Sequence, residues 1–311
     1  MLEIHVCNQC NMYCEGCSHF SNFQIPGIFS AKELYEWSLP WSSRIYPKEI
    51  CLLGGEPLIN RDLINVIKVH RELWPTTSII LFTNGLLLKK WKDTELPKTL
   101  SDCNIVLNVS NHTTYDSDQY DKKMIEVRKL AEKLSTQYGF EFNYYLTSYT
   151  KRQDDQKNLY VDYDNPLNKS DRSLAYNDWL VNDNQPRNYS NWIAVPKKPF
   201  NSNDYHKSWW YTCGRREIQC WQLYHGKIYK CSPLAYLNDL DKKVGGLGKE
   251  WKMYLKYKPL EPNCSDQELK NFLVPKADPE CSMCPAFDYQ PKVKQGNPLK
   301  YKPYIPIIKK S

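Results

Sequence analysis

No apolar run in this chain approaches the roughly 18 residues that a membrane-spanning helix needs. The opening stretch MLEIHVCNQC carries neither an apolar signal region nor a basic leader. No internal repeat is visible, which argues against solenoid and propeller architectures. Glycine is scarce, at 12 of 311 residues, so the adjacent pair Gly54-Gly55 stands out. The lysines are dispersed and match no nucleic-acid-binding motif, so the net charge of +7 leaves a nucleic-acid partner possible but not favoured.

What the chain does have is cysteine and aromatic residues. Twelve cysteines without a leader point to a reducing cytoplasm and to metal or redox chemistry rather than disulfides. With 23 Tyr and 10 Trp in 311 residues, the chain can bury one large core and a smaller one beside it.

Strand-like and helix-like stretches alternate. Leu2–Val6, Glu49–Leu53, Ser78–Phe82, Ile105–Val109 and Phe140–Leu146 read as strands. Ser30 and Glu33 have capping-box spacing for a helix through Trp37, which Pro40 ends. Residues 61–74 place Leu63, Val66, Ile67, His70 and Leu73 on one helical face, with His70 expected at the surface or core edge. A short helical stretch follows near Leu88–Trp91, and a charged amphipathic helix is expected over 119–136. This alternation predicts an α/β fold with a parallel sheet.

The chemistry concentrates in residues 7–20, CNQCNMYCEGCSHF. Cys10, Cys14 and Cys17 can hold three irons of one cubane and leave the fourth without a protein ligand. A metal site with an open position is built for chemistry. Cys7 falls outside this spacing, since a Cys7/Cys10/Cys14 set would run two then three. A zinc knuckle is the rival, although zinc modules usually pair two C-x2-C units.

The C-x3-C-x2-C loop after a first strand resembles the fingerprint of the radical S-adenosylmethionine (radical SAM) superfamily. The resemblance implies a [4Fe-4S] cluster whose open iron is chelated by S-adenosylmethionine (SAM), an electron donor such as flavodoxin or ferredoxin, and a 5'-deoxyadenosyl radical that takes hydrogen from a substrate. It also implies a partial (β/α)6 TIM-type barrel over 1–200, with the site at the C-terminal ends of its strands. Gly54-Gly55-Glu56-Pro57 matches the family's second motif, where glycines let the backbone approach a ligand and Glu56 accepts hydrogen bonds from the SAM ammonium. Asn84, in Thr83-Asn84-Gly85, and Ser110, with Asn108 behind it, are the further cofactor candidates. The family's aromatic before the third cysteine is replaced here by Gly16, leaving Tyr13 and Phe20 to stack on adenine.

Beyond residue 200 the cysteines return. A hairpin is legible as Ile218–Tyr224, a His225-Gly226 turn and Lys227–Lys230, with helical stretches near 248–257 and 265–273. Cys213, Gly226 and Cys231 resemble the opening of SPASM and twitch extensions, and the shorter twitch form fits over 201–290. The resemblance implies one auxiliary [4Fe-4S] cluster on Cys213, Cys231, Cys281 and Cys284. Cys220 or Cys264 could displace one of these, and a zinc ribbon competes for the same ligands. The sixth barrel strand is expected within 192–195 or 209–212, residues 150–212 read as either a substrate cover or a variable surface insertion, and a Lys/Pro-rich tail occupies 291–311.

The expected activity is oxidation, or another radical modification, of a sugar-like, nucleotide or peptide substrate. Two alternatives remain: an epimerase drawing hydrogen from Cys51, Cys103, Cys220 or Cys264, and a non-catalytic metal-binding module for nucleic acid.

Overall fold

The computed structural model describes residues 1–12, 17, 19–111, 118–146, 220–274 and 278–283. One sheet of seven strands organises them: β1 (Leu2–Cys7), β2 (Glu49–Gly54), β3 (Ser78–Thr83), β4 (Ile105–Asn111), β5 (Phe142–Leu146), β6 (Trp221–Tyr224) and β7 (Lys227–Tyr229). The order across the sheet is β5-β4-β3-β2-β1-β6-β7. Neighbours from β5 to β6 are parallel, and only β7 runs antiparallel.

Five consecutive strands lying side by side in chain order is the winding of a (β/α) barrel, because each connection steps in the same direction and leaves its helix on the same face. The side chains bear this out. Leu2, Ile50, Ile79 and Ile105 stand in register, as do Ile4, Leu52, Leu81 and Leu107. All eight belong to the main core, with Leu34 and Trp41 of α1 (Ala31–Ser42) and Leu63, Val66 and Ile67 of α2 (Leu63–Leu73). Cys51, Ile80 and Val106, buried on the opposite face, are outside that cluster. Among the described residues the edges of the sheet are β5 and β7.

Several elements depart from the sequence-based expectation. The Ser30–Glu33 capping box forms, but α1 runs through Pro40 to Ser42. Proline forfeits one amide donor in the last turn, and the fully buried Trp41, whose Nε1 donates to Gly226 O at 2.9 Å, holds that turn in place. His70 is in the core rather than at its edge: Ser38 Oγ lies 3.2 Å from Nε2, and Val66 O lies 2.7 Å from Nδ1. Burial pushes its pKa down to about 4.

The hairpin after residue 220 does not stand apart from the barrel. Its first strand pairs parallel with β1, so it continues the same sheet. Its turn uses positive φ at both His225 (49°) and Gly226 (74°), the type I′ geometry favoured in two-residue hairpins. The stretches proposed for a sixth barrel strand, 192–195 and 209–212, lie outside the described residues.

Three further helices follow α3 (Leu88–Trp91), α4 (Leu96–Asp102) and α5 (Asp118–Tyr138): α6 (Ser232–Val244), α7 (Lys252–Leu255) and α8 (Asp266–Leu273). Neither α4 nor α6 was expected from the sequence, yet α6 carries clear signals. Pro233 stands in its first turn, Leu234, Leu237 and Leu240 are buried at helical spacing, and Gly245 caps its end at φ 78°.

Candidate active site at the strand ends

The loop after β1 carries the thiol triplet, and the ends of β2 and β3 hold it. Gly55 N donates to Cys7 O at 2.9 Å, and Glu56 N donates to Gln9 O at 2.8 Å. The approach leaves no room for side chains. A Cβ on Gly54 would sit 2.0 Å from Cys7 O, and one on Gly55 would sit 2.0 Å from Gln9 O. The two glycines therefore make room for the cysteine loop itself, whereas the sequence suggested room for a ligand. Gly54 also adopts φ 145°, open to glycine and strained for other residues.

Glu56 follows at once and is 1% exposed. Its Oε1 accepts from Leu58 N (2.9 Å) and Thr83 Oγ1 (2.5 Å), and its Oε2 accepts from Asn84 N (2.8 Å). The carboxylate thus ties the β2 end to the β3 end, and burial raises its pKa to about 7 against the pull of those three donors. Pro57 opens a short 3-10 turn, Pro57–Ile59, behind it. Asn84 reaches back to the cysteine loop, with Nδ2 2.8 Å from Asn11 Oδ1 and 3.9 Å from Cys10 Sγ.

The thiols separate by environment. Cys10 and Cys17 are partly exposed, and Cys10 Sγ accepts from Met12 N at 3.4 Å. Burial opposes ionisation of Cys17, but the hydrogen bond and charge of His19 outweigh it and lower its pKa. Cys7 is fully buried, donates to Glu56 O at 3.2 Å and is pushed up to about 12, chiefly by desolvation. A thiolate is what binds iron. The lowered pKa of Cys17 suits a cluster ligand, and the buried, neutral Cys7 does not. Cys14 and Tyr13 lie outside the described residues. Phe20 is fully buried beside Phe23, because its φ of 53° turns it into the core, so it is not available to stack on adenine.

Ser110 and Asn108 lie on the face of β4 away from the helices, each 9% exposed, with Ser110 nearer the strand's C-terminal end. On the segment that follows β1, the buried Asn8 Oδ1, Ser21 Oγ and Asn22 Oδ1 have no hydrogen-bond partner. Native proteins leave few such atoms unpaired. Their presence here suits a polar cofactor, and SAM supplies an amine, a carboxylate and ribose hydroxyls.

A network that sequence reasoning missed braces the loop from β6 and α6. The Tyr236 hydroxyl lies 2.6 Å from His5 Nδ1, and Gln222 Oε1 lies 2.6 Å from His5 Nε2. Gln222 Oε1 can only accept, so Nε2 carries the proton and Tyr236 donates to Nδ1. Burial holds His5 in that neutral form, with its pKa well below the usual range. Asn8 Nδ2 donates to the Tyr224 hydroxyl (2.8 Å), which donates to Asp239 Oδ2 (2.6 Å). Asn8 precedes the triplet by two residues, and nothing in its local sequence announces partners more than 200 residues away.

The second cysteine set is only partly visible. Cys213 and Cys284 lie outside the described residues. Cys231 and Cys281 belong to segments joined by an ion pair, Lys230 Nζ to Asp278 Oδ2 at 3.1 Å, with Lys230 buried. Cys264 is directed elsewhere. In the antiparallel bridge of Ile228 with Leu260, moving toward Cys231 on one strand means moving away from Cys264 on the other. Its Sγ lies 3.6 Å from Arg44 Nη1. Cys220 Sγ donates to Glu3 Oε1 at 2.6 Å.

Residues 3–153 match the family model described as a 4Fe-4S single cluster domain. GTP 3',8-cyclase of Staphylococcus carnosus (strain TM300) is 29% identical over 191 residues, 59% of this chain and 55% of that protein. GTP 3',8-cyclase of Staphylococcus aureus (strain Newman) is 31% identical over 122 residues, 37% of this chain and 36% of that protein. The alignments thus span about half, or less, of the length of these curated relatives. Among solved structures, BtrN in complex with AdoMet and 2-DOIA is 18% identical, covering 88% of this chain and 86% of that one at a TM-score of 0.43. No helix among the described residues is long and apolar enough to cross a membrane. The loop of Cys10 and Cys17 held against the Gly-Gly-Glu turn, the cluster-domain match and the cyclase relatives together support a radical SAM superfamily enzyme, with a [4Fe-4S] cluster and SAM as its cofactors.

Proposed function

We propose that the protein is a radical SAM enzyme whose reaction is the oxidation of a small polar substrate. The observation that carries this reading is the convergence of Cys10, Cys17, Gly54, Gly55, Asn84 and Ser110 at the C-terminal ends of four adjacent parallel strands. When bound, the cluster and SAM supply a carbon radical strong enough to take hydrogen from an unactivated C–H bond. The chain's own residues do the rest. Cys10, Cys14 and Cys17 hold three irons, and Met12 N–H and Asn84 Nδ2 direct donors at the Cys10 sulfur. Glu56 keeps the β2 and β3 ends at a fixed separation, so the loop is pre-organised rather than assembled on binding. Its ammonium-binding role is compatible with this, because among the described residues Oε2 accepts from Asn84 N alone, and a carboxylate oxygen can accept a second hydrogen bond. Ser110, nearest the mouth of β4, is the proposed contact to the SAM carboxylate or ribose.

An auxiliary [4Fe-4S] cluster on Cys213, Cys231, Cys281 and Cys284 would accept the second electron of an oxidation. The Lys230–Asp278 pair supports this set by holding the Cys231 and Cys281 segments together. The epimerase reading is weaker, because its hydrogen donors are badly placed. Cys51 pairs in register with Glu3, and Cys220 bonds to Glu3, three residues or more below the strand ends. Cys103 caps α4, and Cys264 lies against Arg44. A reducing cytoplasm suits the partly exposed Cys10 and Cys17.

The test is anaerobic reconstitution with iron, sulfide, SAM and dithionite. The expected result is cluster-bound iron with labile sulfide and 5'-deoxyadenosine formation, both lost in Cys10→Ala. Zinc without labile sulfide would overturn the reading in favour of a metal-binding module. A product two hydrogens lighter than its substrate distinguishes oxidation from epimerisation, which leaves the mass unchanged.

A further inference from the structure

One layer below the strand ends, the sheet face turned away from the helices carries an unusual row. His5 pairs in register with Leu53, Phe82 with Asn108, and Asn108 with Asn143. Leu107 and Val109, on either side of Asn108, pack into the main core, as do Phe142 and Tyr144 on either side of Asn143. Alternation therefore turns Phe82, Asn108 and Asn143 to the barrel interior.

Both carboxamide oxygens are unsatisfied. Asn108 is more than nine-tenths buried, and the Oδ1 atoms of Asn108 and Asn143 are shielded from solvent without a hydrogen-bond partner. One such atom would be an oddity; two on adjacent strands, with backbones about 4.8 Å apart, form a pair. Each carboxamide offers an acceptor and two donors, which matches a hydroxyl, a group that both gives and takes a proton. Phe82 beside them is only partly buried and belongs to no core cluster. Among the described residues on this face of β3, β4 and β5, the neighbours Ile80, Val106 and Ser110 carry no charge. None of these described side chains would neutralise a phosphate or a carboxylate.

We propose that Phe82, Asn108 and Asn143 form the floor of a substrate site for a neutral polyhydroxylated ring, a sugar or cyclitol. The ring's apolar face lies on Phe82, and two neighbouring hydroxyls, or a hydroxyl and an amine, bond to the two carboxamides. The inference rests on the radical SAM reading and assigns Asn108 to the substrate, leaving Ser110 to the cofactor.

The experiment uses the reconstituted holoenzyme of the whole 311-residue chain. Hexoses, hexosamines and cyclitols, free and as nucleoside-diphosphate conjugates, are titrated under anaerobic conditions, with GTP and a peptide pool as comparators. The readouts are stimulation of 5'-deoxyadenosine formation and, separately, the dissociation constant of SAM. At least one polyol is expected to stimulate saturably, with its half-saturating concentration raised about tenfold or more in Asn108→Leu, Asn143→Leu and Phe82→Ala. A smaller rise is expected in Asn143→Gln. Stimulation by GTP or peptides alone, no response to any polyol, or an unmoved half-saturation in the variants would overturn the proposal. So would an equal loss of SAM affinity, which would return the pair to the cofactor site. If a variant fails to fold, saturation-transfer NMR on the wild type decides by the presence or absence of direct polyol contact. A wild type that binds no cluster and forms no 5'-deoxyadenosine refutes the superfamily reading itself.

Discussion

Replacing Glu56 with glutamine tests the link between burial and the architecture of the strand ends. The folded-state pKa stands at about 7 against a reference of 4.5, because desolvation outweighs three hydrogen bonds. Between those values the folded protein holds a proton that the unfolded chain has released. Stability from this group is therefore greatest below about pH 4.5 and declines as pH rises to about 7. At 1.36 kcal/mol per pKa unit, the decline is about 3 kcal/mol.

His70 works in the opposite sense over nearly the same window. Its pKa of about 4 disfavours the charged form in the fold, so its contribution is present above about pH 6.5 and lost toward pH 4. His5, also lowered by burial, acts in the same direction as His70. In wild type the Glu56 ramp offsets part of the histidine ramps. Urea unfolding of wild type and Glu56→Gln across pH 4.5–7.5 should show a steeper rise with pH in the variant, and subtraction cancels whatever pH dependence the metal contributes. Glutamine also turns an amide donor toward Asn84 N or Leu58 N, lowering stability by about 1–3 kcal/mol at neutral pH. Parallel curves for the two proteins would refute the reasoning, since Glu56 would then titrate as it does in the unfolded chain.

Gly55→Ala places a methyl group 2.0 Å from Gln9 O, so the loop must move. The expected outcome is loss of at least half the reconstituted iron while the helical circular dichroism persists. Tyr236→Phe removes the donor to His5 Nδ1 and leaves a buried ring nitrogen unpaired, which should cost about 1–3 kcal/mol in urea unfolding. His70→Leu should flatten the stability profile between pH 4 and 6.5 by about 3 kcal/mol, the opposite of the Glu56 variant. Trp41→Phe keeps the apolar ring but loses the bond to Gly226 O, and a drop of about 1 kcal/mol in thermal or urea unfolding is expected.

The site was legible where its chemistry needs local spacing. The C-x3-C-x2-C spacing is contained in one short loop, so Cys10, Cys14 and Cys17 could be read as a candidate cluster site without the fold. Gly54-Gly55 is equally local, although the collision it avoids is with Cys7 O and Gln9 O, which no reading of residues 54–57 alone would show. Phe20 misled because an aromatic residue near a cofactor loop looks available until its backbone φ of 53° is known.

What the sequence determined by itself is therefore the periodic and the local: the strand and helix alternation, the Ser30 cap, the thiol triplet and the turn at His225-Gly226. Hydrophobic spacing and turn chemistry act over a few residues and leave their mark there. Tertiary structure alone decided that β6 joins β1, that Tyr236 and Tyr224 brace a loop more than 200 residues away, and that Asn108 and Asn143 stand side by side. Those pairings depend on which strand edge is open and which face is buried, and a chain read residue by residue carries neither.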